Sequence, residues 1–275
     1  MTAPFTHVPF AKAHGARNDF LLTWAADVDS VADRHAELAV AICDRHTGVG
    51  ADGWMLVTPA SQGQPATIRL YNSDGSDSEI SGNGTRCAAA FLIEAGHPRE
   101  HVPILTGAGL KHLYTRKRDG HFFVLEMNMG VPRVTALHTN VALMAGDREA
   151  TLLDVGNPQC ACFVDNFGFD WRSVGAEIEV HSMFPNRTNV SFVRRVDDHT
   201  IDVRFFERGA GVTMSSGTGS TGAAAAALAR GLVSSPVKVL TPAGPLELRW
   251  EGDSVLLVGP AEITVRGEFY FPPNG

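Results

Sequence analysis

The sequence predicts an α/β protein built as two similar halves, and three observations carry that prediction. Short β-type segments dominate the chain, two Ala-rich helices stand out among them, and each of those helices is opened by a Ser-Gly-x-Gly segment. The two openings, at Ser81 and Ser216, lie 216 − 81 = 135 residues apart in a chain of 275. Self-similarity at half-length points to an internal duplication with two equivalent domains. The length agrees, since it suits two domains of about 130 residues each.

Taken in order, the first helix is expected over residues 31–44, with Ser30 as its N-cap and Leu38, Ala41 and Ile42 at helical spacing. Strands are expected at 67–71, 122–127, 161–165, 190–193, 201–207, 237–240 and 254–258, separated by clusters of Gly, Pro, Asp and Asn. The second and third helices begin at SGNGTRCAAAFLIEAG, from Ser81, and SGTGSTGAAAAALARG, from Ser216. Each ends near a glycine, Gly96 or Gly231, as helix C-termini commonly do.

Apolar residues make up 44% of the chain and charged residues 19%, an ordinary folded composition. A net charge of −7 argues against a general nucleic-acid or anionic-membrane surface. No stretch approaches the roughly 18 uninterrupted apolar residues of a membrane span, and MTAPFTHVPFAKAHG lacks the apolar core of a signal peptide. The expected location is therefore the cytoplasm. Of the four cysteines, Cys43, Cys87, Cys160 and Cys162, none forms a CxxC pair, and Cys160 and Cys162 alternate so that both face one side of a strand. Buried thiols are the expectation. The eleven histidines form no HxH or HxxxH pair, so no metal site is expected.

Gly217-Thr218-Gly219-Ser220-Thr221-Gly222 matches GxGxxG and opens a helix, which raises dinucleotide binding. The context argues against it. Eight residues, 208–215, separate the motif from the preceding strand, no acidic residue follows before Glu247, and the surrounding pattern is β-rich. A second match, from Gly48 to Gly53, follows a helix, and GxxxxGK[ST] is absent. No Schiff-base lysine context appears either, so no pyridoxal phosphate, nicotinamide, flavin or metal cofactor is expected. What the duplicated segments do offer is geometry: the first N–H groups of a helix lack internal partners, its dipole makes that end positive, and glycines let an anion come close. Two such ends suit one carboxylate and the carbon beside it. Two ordinary glycine-rich turns before packed helices are the alternative.

Several segments together resemble diaminopimelate epimerases: GARNDF from Gly15, DRHTGVGADG from Asp44, YNSDGSDSEISGNGTRC from Tyr71, GNPQC from Gly156, FPNRTNV from Phe184 and ERGAGVTMSSGTGSTG from Glu207. They occur in the family's order across nearly the whole chain. The resemblance implies two pseudo-symmetric α/β domains, each a curved mixed sheet wrapped around a central helix, with the active site in the cleft between them. The expected domains are residues 1–127, joined by a returning segment 265–275 in which 268–272 pairs, and residues 128–264. It also implies a homodimer and a small amino-acid substrate carrying carboxylate and ammonium groups. The positions that carry over as substrate contacts are Asn18, Asn72, Gly82, Asn83, Asn157, Gln159, Asn189, Glu207, Arg208, Gly217 and Thr218. Singly, each Asn also reads as a turn residue.

The sequence departs from the family where the chemistry resides. Family members invert the α-carbon with two cysteines, one on each face, and the matching positions here are Ser81 and Ser216. The family's GNPH is GNPQ here, so a titratable histidine is replaced by Gln159. A deficit of roughly five pKa units between hydroxyl and thiol corresponds to about 7 kcal/mol, or on the order of 10⁵ in rate. The readings left open are an epimerase-like enzyme acting through Ser81, Ser216 and Glu207, a one-base isomerase or dehydratase using Glu79 or Glu207, and an amino-acid-binding protein without catalysis. An engineered double Cys→Ser form fits less well, because Gln159 changes independently.

Overall fold

The computed structural model describes residues 5–61 and 63–273. Expectations that fall on residues 1–4, 62, 274 and 275 lie outside the described residues. The chain divides into two compact units, Met1–Leu125 with Pro260–Gly275, and Glu126–Gly259. These boundaries differ from 127/128 and 264/265. Both fall inside continuous strands: the first within Phe122–Gly130, where no turn residue marks it, and the second at Gly259–Pro260 within Ser254–Phe271.

In the first unit, β1 (Thr6–Gly15) and β2 (Asn18–Trp24) form a hairpin. A 3₁₀ segment (Ala25–Arg34) and α1 (His35–Cys43) then carry the chain to β3 (Gly53–Thr58), parallel to β2. Next come β4 (Ala66–Asn72), antiparallel to β3, and β5 (Asp77–Ser78), paired with β4. Helix α2 (Gly82–Glu94) crosses to β6 (His101–Thr106), parallel to β4, and β7 (Gly109–Asp119) pairs antiparallel with β6. Strand β8 (Phe122–Gly130) leads out of the unit.

In the second unit, β9 (Arg133–Val141), β10 (Arg148–Asp154) and β11 (Pro158–Phe163) run antiparallel in turn. Helix α3 (Trp171–Glu179) crosses to β12 (Asn189–Asp197), parallel to β11. Then β13 (Thr200–Glu207) pairs with β12, and β14 (Gly211–Thr213) pairs with β13. Helix α4 (Gly217–Ala229) crosses to β15 (Val237–Thr241), parallel to β13, followed by β16 (Gly244–Glu251) and β17 (Ser254–Phe271). The end of β17 belongs to the first unit, where it pairs antiparallel with β1 from Thr6 opposite Phe271 to His14 opposite Glu262. The expected pairing of the C-terminal segment is thus present, with Glu268 opposite Pro9.

Each unit therefore repeats one order: a hairpin, a helical crossover to a parallel strand, a second hairpin, a second crossover through the Ser-Gly-x-Gly helix, and a third hairpin. That second helix is buried along nearly all its length, with Ala88, Ala89 and Ala90 in α2 and Ala223, Ala224 and Ala226 in α4 all at 0% exposure. A helix surrounded by strands needs short side chains on every face, so its pattern is apolar all round rather than striped. The second glycine of each opening serves the same packing. A Cβ on Gly84 would overlap Met55 Cε at 1.9 Å, and one on Gly219 would approach Phe205 Cδ1 at 2.8 Å. At the far ends, Gly96 and Gly231 adopt φ of 95° and 68°, and His97 N–H donates to Leu92 O at 3.1 Å as Leu232 N–H does to Ala227 O at 2.9 Å. Both are left-handed Schellman stops, again 231 − 96 = 135 residues apart.

Two helix expectations are corrected. Ser30 caps nothing: it is exposed within the 3₁₀ segment, and α1 begins at His35. The 3₁₀ segment is itself kinked at its buried residues, Val28 and Val31, whose backbone angles are not helical. The second correction is that four α-helices are present among the described residues, α3 being additional. Its start is signalled by Asp170, whose side chain accepts from Ser173 N–H at 3.2 Å, and by Trp171, Val174 and Ile178 on one buried face. Cys160 and Cys162 share that core with Trp171 and Phe192, as their alternation predicts.

Candidate functional site

Ser81 is the N-cap of α2 and Ser216 the N-cap of α4. Each is extended, with φ −125° and −138°, and its hydroxyl oxygen accepts the backbone N–H three residues on: Gly84 at 3.1 Å and Gly219 at 3.0 Å. The serine carbonyls accept the next N–H, from Thr85 at 2.8 Å and Ser220 at 2.9 Å. Gly82 and Asn83 in one helix, Gly217 and Thr218 in the other, are the first two helical residues, whose N–H groups have no intrahelical acceptor. Capping leaves each hydroxyl hydrogen free to donate, at the positive end of a helix.

In the first unit Asn18 and Asn83 are joined. Asn83 Nδ2 donates to Asn18 Oδ1 at 3.2 Å, Asn18 Nδ2 donates to Asp52 at 2.6 Å, and Arg86 Nη2 donates to Asn83 Oδ1 at 2.5 Å. Arg86 is fully buried, and that burial pulls its guanidinium down to about 10, still protonated at neutral pH. Asp52 and Asp19 share Arg45, and Lys12 reaches Asp19 at 3.0 Å. Burial pushes Asp19 up, but hydrogen bonds from Arg45 and Lys12 outweigh it and hold the carboxyl below the ordinary range. At Asp52 burial prevails with help from the Asp19 charge, and the carboxyl is raised. Asn72 stands apart from this network: its Nδ2 donates to Ser76 Oγ at 3.0 Å within the turn after β4. Glu79 is exposed, and its carbonyl accepts from Ala108 N–H at 3.1 Å.

In the second unit Asn157, Gln159, Asn189, Glu207 and Arg208 gather at one end of β11, β12 and β13, because Gln159 lies opposite Asn189 and Val190 opposite Phe206. Gln159 Nε2 donates to Asn157 Oδ1 at 2.6 Å, while Asn189 donates to Pro158 O at 3.0 Å and accepts from Arg208 N–H at 3.1 Å. Gln159 Oε1 is buried without a donor among the described residues. Arg208 Nη1 donates to Asn186 O at 3.2 Å, and Glu207 is half-buried at the end of β13. Glu179 supports this corner: it pairs with Arg187 at 2.7 Å and accepts Gly209 N–H at 3.0 Å.

None of the four thiols can substitute for the serines. All are buried; burial pushes Cys43 and Cys87 up to about 12, and a hydrogen bond with Cys162, then burial, raises Cys160. Among the described residues no group of three or more metal-ligating side chains occurs, and no helix is long and apolar enough to cross a membrane.

Sequence reasoning assigned no role to Asp19, Asp52, Arg45, Arg86 or Glu179. Asp19, Arg45, Asp52 and Arg86 had a signal, their places in GARNDF, DRHTGVGADG and YNSDGSDSEISGNGTRC; Glu179 lies outside those segments and depends on tertiary proximity.

The fold is shared with solved structures that include epimerases, a racemase and an isomerase. A hydroxyproline epimerase from Agrobacterium vitis, solved with bound trans-4-hydroxy-L-proline, superposes with a TM-score of 0.75 at 18% identity, covering 97% of this chain and 92% of its own. A PhzF-family phenazine biosynthesis protein from Bacillus anthracis gives a TM-score of 0.71 at 14% identity, covering 96% and 99%. Within that group the chain belongs to the diaminopimelate epimerase family, which it matches over residues 10–135 and 151–264. Diaminopimelate epimerases from Pelotomaculum thermopropionicum and Corynebacterium glutamicum are 35% and 36% identical to it, covering 94% and 95% of this chain and 98% of each relative. The protein is accordingly an isomerase of the epimerase and racemase class.

Proposed function

We propose that the protein is a cofactor-independent epimerase acting at the α-carbon of diaminopimelate or a close relative, with Ser81 and Ser216 as the two groups that exchange the α-proton. The carrying observation is that these serines occupy equivalent caps of equivalent helices, with the same hydrogen bond at 3.1 and 3.0 Å, in a chain that matches the family through both segments. One serine, as the alkoxide, would accept the α-proton while the other, as the hydroxyl, donates its proton to the opposite face; the two end with protonation states exchanged, and proton exchange with water after the product leaves resets the pair. The substrate carboxylate would take the N–H groups at Gly82, Asn83, Gly217 and Thr218. Glu207, Arg208, Asn157, Asn189 and the donor-free Gln159 Oε1 suit its ammonium and distal polar groups. Asn18 and Asn72 complete the proposed contacts.

The two units are proposed to be copies of one ancestral unit, on the strength of the shared strand order and the repeated offset. A homodimer is proposed from the family resemblance, and a cytoplasmic location from the sequence, in which no stretch approaches the apolar length of a membrane span. The test is incubation with diaminopimelate in D₂O: deuterium at the α-carbon with inversion is expected. Binding without any exchange would overturn the epimerase reading.

A further inference from the structure

Asp52 stands at the end of the glycine-rich loop that follows α1, immediately before β3. One carboxylate oxygen accepts Asn18 Nδ2 at 2.6 Å and the Asp19 N–H at 3.1 Å; the other accepts Arg45 Nη2 at 2.7 Å. Its own N–H is tied to Asp19, at 3.0 Å to the carbonyl and 3.2 Å to the carboxylate. The carboxylate is thus fixed on both sides, and Asn18 beyond it is only 6% exposed.

The donors run in one direction, from Arg86 to Asn83, from Asn83 to Asn18 and from Asn18 to Asp52. A guanidinium only donates and a carboxylate only accepts, whereas a carboxamide does either according to which way it is turned. With Arg86 at one end and Asp52 at the other, neither carboxamide can rotate by half a turn. Turning Asn18 would set its oxygen against the Asp52 carboxylate and its NH₂ against that of Asn83. Breaking such a buried chain leaves polar groups unsatisfied away from water, which opposes the turn.

We infer that Asp52 is a positioning residue that fixes the orientation of the Asn18 carboxamide. Asn18 consequently presents one N–H and one carbonyl lone pair in fixed places instead of an interchangeable pair. The inference rests on the proposed contact between Asn18 and substrate only for its effect on catalysis. The hydrogen-bond direction itself stands on unit-one geometry. Only the ionised Asp52 enforces the orientation, because a protonated carboxyl can donate. The charged or titratable groups around it are Asp19 on β2, Lys12 on β1, and Cys43 and Arg45 at and after the end of α1, with Cys43 neutral. Asp52 is the raised carboxyl of the pair and is therefore the first to protonate as pH falls.

The test has two arms on the full chain. In the first, ¹H–¹⁵N spectra follow the Asn18 side-chain amide without ligand. In the wild type its two N–H signals should shift with the titration of Asp52; in Asp52→Asn that pH dependence should vanish, and in Asp52→Glu it should persist. Insensitivity of the wild-type signals to acid pH, down to where Asp52 is protonated, would overturn the inference without any variant having to fold. In the second arm, α-hydrogen exchange on diaminopimelate should show KM raised about tenfold in Asp52→Asn with kcat changed less than about twofold, and partial rescue in Asp52→Glu. An equal fall in kcat for both variants with KM unchanged would also overturn it. If wild-type protein neither binds nor exchanges diaminopimelate, the proposed function fails, and the spectra still decide the role of Asp52.

Discussion

The side chain of Gln159 lies across Gly222 of α4: a Cβ on that glycine would stand 3.1 Å from Gln159 Cγ and 3.2 Å from its Cβ. Glycine inside a helix costs about 1 kcal/mol relative to alanine. Here that cost coincides with the place where a buried glutamine, anchored by its bond to Asn157, must pass close to the helix.

The two residues should therefore be energetically coupled. In the wild type, Gly222→Ala is expected to give no gain in stability, since the methyl must displace the glutamine stem. In the Gln159→Gly background, which removes both the Cγ and the Cβ that crowd the site, the same change should stabilise by about 0.5–1 kcal/mol, the ordinary helix preference. Urea denaturation of the four proteins gives the cycle, and additivity would show that the glutamine moves aside freely.

Arg45 should stabilise the protein in a pH-dependent way. It pairs with both Asp19 and Asp52, and its hydrogen bond helps to hold Asp19 below the ordinary carboxylate range. A carboxyl depressed by folding adds stability that is present above its unfolded pKa and lost as pH falls through its folded pKa. The raised Asp52 works in the opposite direction, and its desolvation cost is felt once it ionises. Removing Arg45 lifts both values. Arg45→Gln should therefore cost about 1 kcal/mol at pH 7, a figure limited by the 53% exposure of the side chain, and almost nothing once both carboxyls are protonated in acid. Melting temperatures at pH 7 and near pH 3 would check this, and a penalty undiminished by acid would contradict it.

All four native thiols should be silent to a thiol reagent at pH 8. Cys43, Cys87, Cys160 and Cys162 are all buried, and the thiols of Cys43, Cys87 and Cys160 are pushed up rather than down. Reaction should appear only in denaturant, and then four times over. A single cysteine introduced at Ser81, which is half-buried at a helix start, should react in the folded protein. Rapid labelling of any native thiol would mean that its surroundings open readily.

The helices α2 and α4 were legible because a fully surrounded helix must be small-sided, and because its stop needs a residue that tolerates positive φ; both demands are written locally, in Ala runs and in Gly96 and Gly231. The contacts of Asn18 were not legible. Asp52 is 34 residues away from it and Arg86 farther still, so their alignment is a product of strand pairing that no local pattern encodes. Strands such as β1 and β9 also escaped, since their alternation is broken by Pro and His in one and by exposed Thr, His and Asn in the other. In the second unit the gathering of Gln159, Asn189 and Glu207 follows from a parallel register across α3, a helix whose nine residues gave too short a periodic signal.

The serines themselves set the last expectation. Both hydroxyl oxygens already sit where a helix start stabilises negative charge, accepting Gly84 and Gly219 N–H groups. What separates them from an efficient acid and base is acidity, not placement: a thiol ionises near 8.5 and a helix N-terminus lowers it further. Ser81→Cys plus Ser216→Cys should consequently raise epimerisation of diaminopimelate by several orders of magnitude, toward the roughly 10⁵-fold that about five pKa units represent. Either single change should achieve far less, because inversion needs a base on one face of the carbon and an acid on the other. The cost in stability should stay below about 1 kcal/mol per site, as sulfur is a weaker N-cap than oxygen. Polarimetry or α-deuterium incorporation gives the readout, with Gln159→His added if the double variant binds without turnover. A triple variant that folds, binds diaminopimelate and exchanges no α-hydrogen would place the divergence elsewhere, in the groups that hold the substrate.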